Sequence, residues 1–266
     1  MSNEMKALVK AHPREGLWMQ RAPVPEIGPD DVLIRINKTG ICGTDIHIWN
    51  WDEWAQKTVP VPLITGHEFA GEIVELGRHV TDLSLGQRVS GEGHLIGKHS
   101  RQSRAGKFHL DPETRGIGVN EQGAFAEYLT VRESRAVVKK PDNVSFEQVA
   151  GVPIAGITAL QALRDKAGLE SGQDVLINGA SGGVGTFAVQ IAKAMGAHVV
   201  VFTTSPSKKE GDAHESRDAA CTTKPLNVSM DAWEWEERIL PMRRHARESH
   251  VLFAPPWFFT AIRLYQ

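Results

Sequence analysis

Residues 174–185 read D-V-L-I-N-G-A-S-G-G-V-G, and this stretch decides the fold of the second half of the chain. It begins as an apolar strand and ends in a glycine-rich turn. Residues 186–196 then continue as a helix, and residues 198–203 form a second apolar run. A strand, a glycine turn, a helix and a strand make the β-α-β unit of nucleotide-binding folds, in which glycine lets the backbone approach a pyrophosphate. A bare tight turn is the alternative. We predict cofactor contacts at Gly179, Gly182, Gly183, Val184 and Gly185.

The residues after the second strand bear on the choice of cofactor. Folds that bind NAD usually place an Asp or Glu about 20 residues beyond the glycine turn, where it holds the ribose 2′-hydroxyl. Here residues 203–209 read T-T-S-P-S-K-K, and no acidic residue follows until Glu210. Hydroxyls and lysines suit a 2′-phosphate. We therefore predict further cofactor contacts at Thr203, Ser205 and Lys208, and a preference for NADP over NAD.

The first half of the chain has a different pattern. Short apolar or alternating runs separated by glycines are predicted as strands at residues 31–36, 69–74, 87–89 and 123–129. Such strands are typical of a small β-barrel or sandwich. The pattern changes near residues 141–142, beyond which residues 149–167 have a helical period.

Two stretches of this first half carry candidate chemistry. Residues 40–47 read G-I-C-G-T-D-I-H and residues 66–68 read G-H-E. Cys42, His67 and Glu68 offer a thiol, an imidazole and a carboxylate, a set that suits a catalytic zinc with one open position. A buried free cysteine beside a capping histidine is the alternative.

The same stretches carry a resemblance to the zinc-dependent medium-chain dehydrogenases, and most closely to their threonine 3-dehydrogenase branch. It rests on G-I-C-G-T-D-I-H-I-W-N-W-D-E-W (40–54), G-H-E-F-A-G-E-I-V-E-L-G (66–77) and G-Q-R-V-S-G-E-G-H (86–94). The resemblance implies a GroES-like catalytic domain and zinc-assisted hydride transfer. It also implies the role of each site residue: Cys42, His67 and Glu68 around the zinc, Thr44 and His47 passing a proton to water, and His94 in the substrate pocket.

The second half resembles another branch of the superfamily. Residues 150–163, A-G-V-P-I-A-G-I-T-A-L-Q-A-L, and residues 177–185 look like quinone oxidoreductases, which lack the zinc. We therefore expect three segments: a GroES-like domain (1–145), a partial Rossmann-type cofactor domain (146–212) and an unassigned C-terminal segment (213–266). With one β-α-β unit, the sheet is expected to be short with an exposed edge, and the enzyme weak or inactive.

One loop departs from the resembled family. Relatives often hold a structural zinc with four cysteines spaced C-x2-C-x2-C-x7-C, and the matching positions here are Gly97, Ser100, Ser103 and Asp111. Glycine and serine do not replace thiolate ligands, so we expect one catalytic zinc and no structural zinc.

Composition limits the function class. The 266 residues have a formal net charge of −2 and no basic cluster or membrane-length apolar run, so we expect no nucleic-acid or membrane partner. With no secretory signal visible and a zinc-binding thiol expected, the predicted location is the cytoplasm. Self-association is left open.

The predicted function is zinc- and NAD(P)-dependent oxidation of a small secondary alcohol, with L-threonine or a related 3-hydroxy amino acid as a candidate substrate. Two alternatives stay open: a zinc-free NADPH-dependent quinone or enone reductase, and a non-catalytic chain that binds zinc or a nucleotide.

Overall fold

The structure, a computed structural model, describes residues 4–97, 99–131, 137–202, 251–253 and 261–265. The chain divides into two compact units, Met1–Ile154 and Ala155–Gln266. Most of the regular secondary structure of the first unit is β-strand, and the second unit is built around a sheet with helices. The division into three segments made from the sequence stays a prediction.

The first unit contains ten strands and several short helices among its described residues. The strands are β1 (Glu4–Lys10), β2 (Trp18–Pro23), β3 (Val32–Gly40), β4 (Leu63–Ile64), β5 (Glu68–Leu76), β6 (Arg88–Gly91), β7 (His94–Leu95), β8 (Arg115–Gly116), β9 (Tyr128–Val131) and β10 (Val137–Lys139). The helices are α1 (Gly43–Asn50), α2 (Glu53–Thr58), α3 (Arg101–Arg104) and α4 (Phe146–Ala150), with a 3₁₀ helix at Phe108–Leu110.

A five-stranded antiparallel sheet forms the centre of this unit. Its order is β10-β6-β5-β3-β9, and β3 and β5, at nine residues each, are its longest strands. Its buried residues include Val32, Ile34, Phe69, Ile73 and Val89. The strands predicted at residues 31–36, 69–74 and 87–89 are therefore present. Of the strand predicted at 123–129, only the last two residues lie in β9. The backbone before them instead forms separate hydrogen bonds with residues 64–66 and with β1.

A buried lysine ties three segments of this unit together. Lys10, at the end of β1, is fully buried, and its Nζ donates to the carbonyl oxygens of Arg14 (2.5 Å), Gly16 (3.1 Å) and Trp49 (3.3 Å). The ammonium also lies 4.8 Å from the ring centroid of Trp51. A buried charge is tolerated only when it is well hydrogen-bonded. The carbonyls of Arg14 and Gly16, between β1 and β2, and that of Trp49, in the last turn of α1, supply that compensation.

The second unit carries the predicted β-α-β arrangement. Strand β11 (Asp174–Asn178), helix α6 (Gly183–Ala194) and strand β12 (His198–Phe202) follow one another, and β11 and β12 pair in parallel. The apolar face of α6 packs with β11 in a core that includes Val175, Ile177 and Ala188. This arrangement agrees with the order of elements predicted from residues 174–203.

The helix predicted over residues 149–167 is interrupted. Helix α4 ends at Ala150, helix α5 (Val152–Leu160) follows Gly151, and Gln161–Lys166 is π-helical. Pro153 has no amide to donate to the Val149 carbonyl, as a continuous helix would require, which accounts for a break at Gly151 that the apolar period does not show.

The sheet of the second unit is wider than the sequence predicts. Strands β13 (Val251–Phe253) and β14 (Ala261–Tyr265) give the order β12-β11-β14-β13, and β14 pairs antiparallel with β11 from Asp174↔Tyr265 to Asn178↔Ala261. The expectation of a short sheet built from one β-α-β unit is therefore wrong, because β14 and β13 extend it to four strands. Long-range pairing of a segment without a clear period cannot be seen in local sequence.

Candidate metal centre and cofactor turn

The three predicted zinc ligands come together in the first unit. Cys42 precedes α1 as its N-cap, Glu68 is the first residue of β5, and His67 directly precedes that strand. One donor atom from each lies within 4.8 Å of the others, and this is the one such group of three among the described residues. His67 and Glu68 are buried and Cys42 is half-buried, so the group is shielded yet reachable.

The antiparallel pairing of β3 with β5 brings the ligands together. Gly40, the last residue of β3, lies opposite Glu68, the first residue of β5. Cys42 follows two residues later, where the chain turns into α1. Ligands 25 residues apart in the chain therefore meet because one strand ends where its neighbour begins.

Gly40 also makes room for the Glu68 side chain. A Cβ on Gly40 would lie 2.2 Å from Glu68 Oε2 and 3.1 Å from Glu68 Cβ, distances too short for a side chain. The carboxylate therefore occupies the space that a Cβ at position 40 would take, and it can keep this position only with glycine there. Burial raises the pKa of Glu68, His67 opposes this rise and Asp45 adds to it.

Asp45 is a site residue that the sequence did not predict. Its Oδ2 accepts a hydrogen bond from the Cys42 amide (2.8 Å), and its Oδ1 lies 3.8 Å from His67 Nδ1. Among the described residues, neither Oδ1 nor His67 Nδ1 has a hydrogen-bond partner. Burial raises the pKa of Asp45, against the opposing charge of His67. The sequence does contain one indication of this role: Asp45 lies three residues after the helix N-cap, where acidic side chains accept a hydrogen bond from the cap amide.

This donor set fits a zinc ion. Sulfur, imidazole nitrogen and carboxylate oxygen are the ligands zinc takes, and three of them leave an open position. Histidine ligands usually direct their second ring nitrogen at a carboxylate, and His67 Nδ1 faces Asp45. A divalent cation would also offset the burial of Asp45 and Glu68.

The residues predicted to relay a proton lie on α1. Thr44 Oγ1 lies 3.8 Å from Cys42 Sγ, and His47 follows three residues later, on the same face of the helix. His47 Nδ1 is hydrogen-bonded to Asp52 Oδ2. The His47 side chain is 43% exposed, so this arrangement leads from the ligand group towards solvent.

His94, predicted for the substrate pocket, lies on β7 and is exposed. Its Nδ1 lies 2.5 Å from Glu92 Oε1, and this hydrogen bond raises the pKa of His94. The preceding residue, Gly93, packs against His67, since a Cβ there would lie 3.2 Å from the His67 carbonyl oxygen. The structure thus places the predicted pocket residue next to the segment that holds a predicted ligand.

The glycine turn of the second unit lies between β11 and α6, as predicted. Gly182 is the N-cap of α6, and its amide donates to the Gly179 carbonyl oxygen (3.0 Å). A Cβ on Gly185 would lie 2.2 Å from that same oxygen, so the helix can pack on the turn only with glycine there. A Cβ on Gly183 would meet nothing within 4 Å, and Val184 is buried in the core. The first amides of α6 are thus available to an anion.

Three of the predicted cofactor contacts, Thr203, Ser205 and Lys208, lie outside the described residues.

The loop that lacks the four thiols is held by hydrogen bonds. Ser103 Oγ lies 2.7 Å from the Gly97 carbonyl oxygen and also contacts Asp111 Oδ2, so its single hydroxyl proton is shared between two acceptors. Ser100 Oγ accepts from the Ser103 amide (3.0 Å) as the N-cap of α3. Ser103 and Asp111 are buried. All four positions that match the cysteines therefore still take part in one cluster.

Comparison with known proteins agrees with this arrangement. Residues 28–142 match the family model of the alcohol dehydrogenase GroES-like domain. The chain is similar to the medium-chain dehydrogenases. It has a GroES-like domain and a Rossmann-type domain, which confirms the predicted fold class.

The match to each individual relative covers only part of that relative's length. The chain is 66% identical over 199 residues to an L-threonine 3-dehydrogenase of Ruegeria pomeroyi, which covers 75% of this chain and 57% of that protein. An NAD-dependent alcohol dehydrogenase has a similar structure, with a TM-score of 0.72 and 30% sequence identity. The match covers 79% of this chain and 61% of that protein. A cobalt- and zinc-bound alcohol dehydrogenase from Pyrobaculum aerophilum has a TM-score of 0.69 and 30% sequence identity. The match covers 80% of this chain and 63% of that protein. The chain thus spans a little over half the length of the curated relative.

No helix in the described part of the chain has both the length and the apolar character needed to cross a membrane.

Proposed function

We propose that this protein is an oxidoreductase that uses one zinc ion and a nicotinamide cofactor to oxidise a small secondary alcohol. The observation that carries the proposal is the convergence of Cys42, His67 and Glu68 in one shielded group, with His67 Nδ1 facing a buried carboxylate. The similarity to an L-threonine 3-dehydrogenase supports threonine or a related 3-hydroxy amino acid as the substrate.

Each site residue of the first unit has a defined role in this proposal. When bound, the zinc would polarise the substrate oxygen as a Lewis acid, and the nicotinamide would take up the hydride. Cys42, His67 and Glu68 hold the metal, and Asp45 orients both the Cys42 amide and the His67 ring. Gly93 and His94 border the same segment and belong to the substrate pocket.

Thr44 and His47 move the proton of the substrate hydroxyl. The Thr44 hydroxyl lies beside Cys42, and His47 exposes its ring at the other end of the shared helix face. Since Nδ1 of His47 bonds to Asp52, Nε2 is the nitrogen that exchanges protons with water. A positioned acid–base group typically contributes about 10²–10⁴-fold to the rate.

The zinc assignment can be tested without turnover. Elemental analysis of the purified protein should give about one zinc per chain, as expected for a single catalytic site. Cys42→Ser should abolish it while keeping the fold, since serine is a favoured helix N-cap. Cys221→Ser is the matched control, because Cys221 is the other cysteine of the chain and belongs to no proposed site. Full zinc content in Cys42→Ser would refute the assignment.

Turnover separates the alternatives. Zinc together with oxidation of threonine or simple secondary alcohols supports the proposal. Reduction of quinones or enones by a zinc-free protein would favour the quinone oxidoreductase alternative. Zinc without turnover of either substrate class would favour a non-catalytic binding protein.

The proposal also includes the choice between NAD and NADP, the number of zinc ions, the cellular location and the binding partners. We infer a preference for NADP from Thr203, Ser205, Lys208 and the lack of an acidic residue before Glu210. Tighter binding of NADH than of NADPH in a fluorescence titration would overturn it. We further infer that the loop containing Ser103 binds no structural zinc, that the protein works in the cytoplasm, and that it binds neither nucleic acid nor membranes. Self-association is left open.

A further inference from the structure

The carboxylate of Asp52 bonds in two directions at once. Asp52 is the N-cap of α2, and its Oδ1 accepts a hydrogen bond from the Ala55 amide (3.0 Å). Its other oxygen, Oδ2, bonds to His47 Nδ1. A carboxylate fixed by a helix cap cannot rotate away from the imidazole without losing the cap bond, so the geometry of α2 determines where the His47 ring is held.

A second residue of α2 contacts the same ring. The Trp54 ring lies edge-on to His47, with 6.1 Å between the ring centroids and an angle of 69° between the planes. Trp54 itself packs against a buried cluster that contains Ile48 and Ala55. The imidazole is thus positioned at Nδ1 by a charge and along one side by an anchored aromatic ring.

The charge on Asp52 selects the tautomer of His47. The Ala55 amide and the His47 hydrogen bond together lower the pKa of Asp52, so the carboxylate is ionised at neutral pH and can only accept a hydrogen bond. A neutral His47 must then carry its proton on Nδ1. This leaves Nε2 as the proton acceptor of the ring.

We propose that Asp52 is a positioning residue for the proton relay, which fixes both the orientation and the Nδ1–H tautomer of His47 through the cap of α2. The inference rests on the proposed function, because it assigns a role within that relay. It adds a residue outside the metal group and explains why the relay histidine is followed by a second short helix.

Asp52→Asn is the decisive variant. Asparagine is as good an N-cap as aspartate, so its oxygen can keep the bond to the Ala55 amide and α2 should stay folded. Its NH₂ group then faces His47 Nδ1 and donates where the carboxylate accepted. We expect the neutral ring to change to the Nε2–H tautomer. Side-chain ¹⁵N NMR of histidine-labelled protein distinguishes the two tautomers, with the His47 signals assigned by their absence from a His47→Asn sample.

A matched control lies on the same helix. Glu53 and Lys57 form an exposed ion pair (2.6 Å) one residue from Asp52. Glu53→Gln removes a carboxylate charge at nearly the same place without altering either Asp52 hydrogen bond. We expect its His47 tautomer and its turnover to match those of the unsubstituted protein.

The kinetic readout separates positioning from general damage. For Asp52→Asn we expect kcat to fall by roughly 10–100-fold, less than the ~10²–10⁴-fold of an acid–base group because His47 itself is kept, with KM and zinc content little changed. An unchanged tautomer, or an inverted tautomer with full kcat, would overturn the inference and leave the zinc proposal intact. If the unsubstituted protein shows no turnover, the proposed function fails, and the tautomer alone decides whether Asp52 orients His47.

Discussion

Replacing Gly40 by alanine should remove one zinc ligand without touching any ligand directly. The new Cβ would lie 2.2 Å from Glu68 Oε2, whereas favourable contacts of carbon lie near about 3.5 Å. The carboxylate must therefore move by about 1 Å or more, which exceeds the ~0.2 Å tolerance of metal–ligand distances. We expect zinc affinity to fall at least about 10-fold, or about 1.4 kcal/mol.

The same substitution should cost little folding stability. Overpacking typically costs about 1–3 kcal/mol, but the Glu68 carboxylate is the flexible end of a long side chain and can move. Alanine in a strand also regains about 0.5–1 kcal/mol relative to glycine. The two effects largely cancel, so we expect a change below about 1 kcal/mol in the free energy of unfolding.

Competition with a chromophoric chelator measures the zinc affinity of each variant. Gly43→Ala is the matched control, since a Cβ at Gly43 would meet nothing within 4 Å although Gly43 adjoins Cys42. In a Glu68→Ala background, Gly40→Ala should have no further effect, because the clash acts only through the removed side chain. Unchanged zinc affinity in Gly40→Ala alone would refute the reasoning and the assignment of Glu68 as a ligand.

Two further predictions concern stability. Lys10→Met should lower the free energy of unfolding by about 2–4 kcal/mol in urea titrations, because three part-buried carbonyl oxygens lose their donor. Exposed Lys57→Met should change it by less than about 1 kcal/mol, and equal effects would contradict a structural role for Lys10. Ser103→Ala should destabilise the protein at pH 7, since Ser103 is the main cause of the lowered pKa of Asp111. A carboxyl with a lowered folded-state pKa stabilises above its unfolded value, near about 3.9, and this contribution is lost as pH falls through the folded-state pKa. The difference between Ser103→Ala and the unsubstituted protein should therefore shrink below about pH 4, and a constant difference would argue against the Asp111 bond.

The partners of the site residues were not predictable, although the motif that holds them was. Cys42, His67 and Glu68 are conspicuous because few residue types bind zinc. Asp45 and Asp52 stand in the same motif but look like ordinary helix caps. Their second bonds, to His67 and His47, depend on how α1 packs beside β5 and α2.

The sequence by itself determined the order of elements, the glycine turn and the candidate ligand types, because these depend on short-range periods and on side-chain chemistry. The tertiary structure alone decided that Gly40 faces Glu68 and that β14 lies beside β11. Each of these contacts joins residues whose separation along the chain leaves no local pattern. They form only when strands and loops pair, and that pairing is determined by packing over the whole unit.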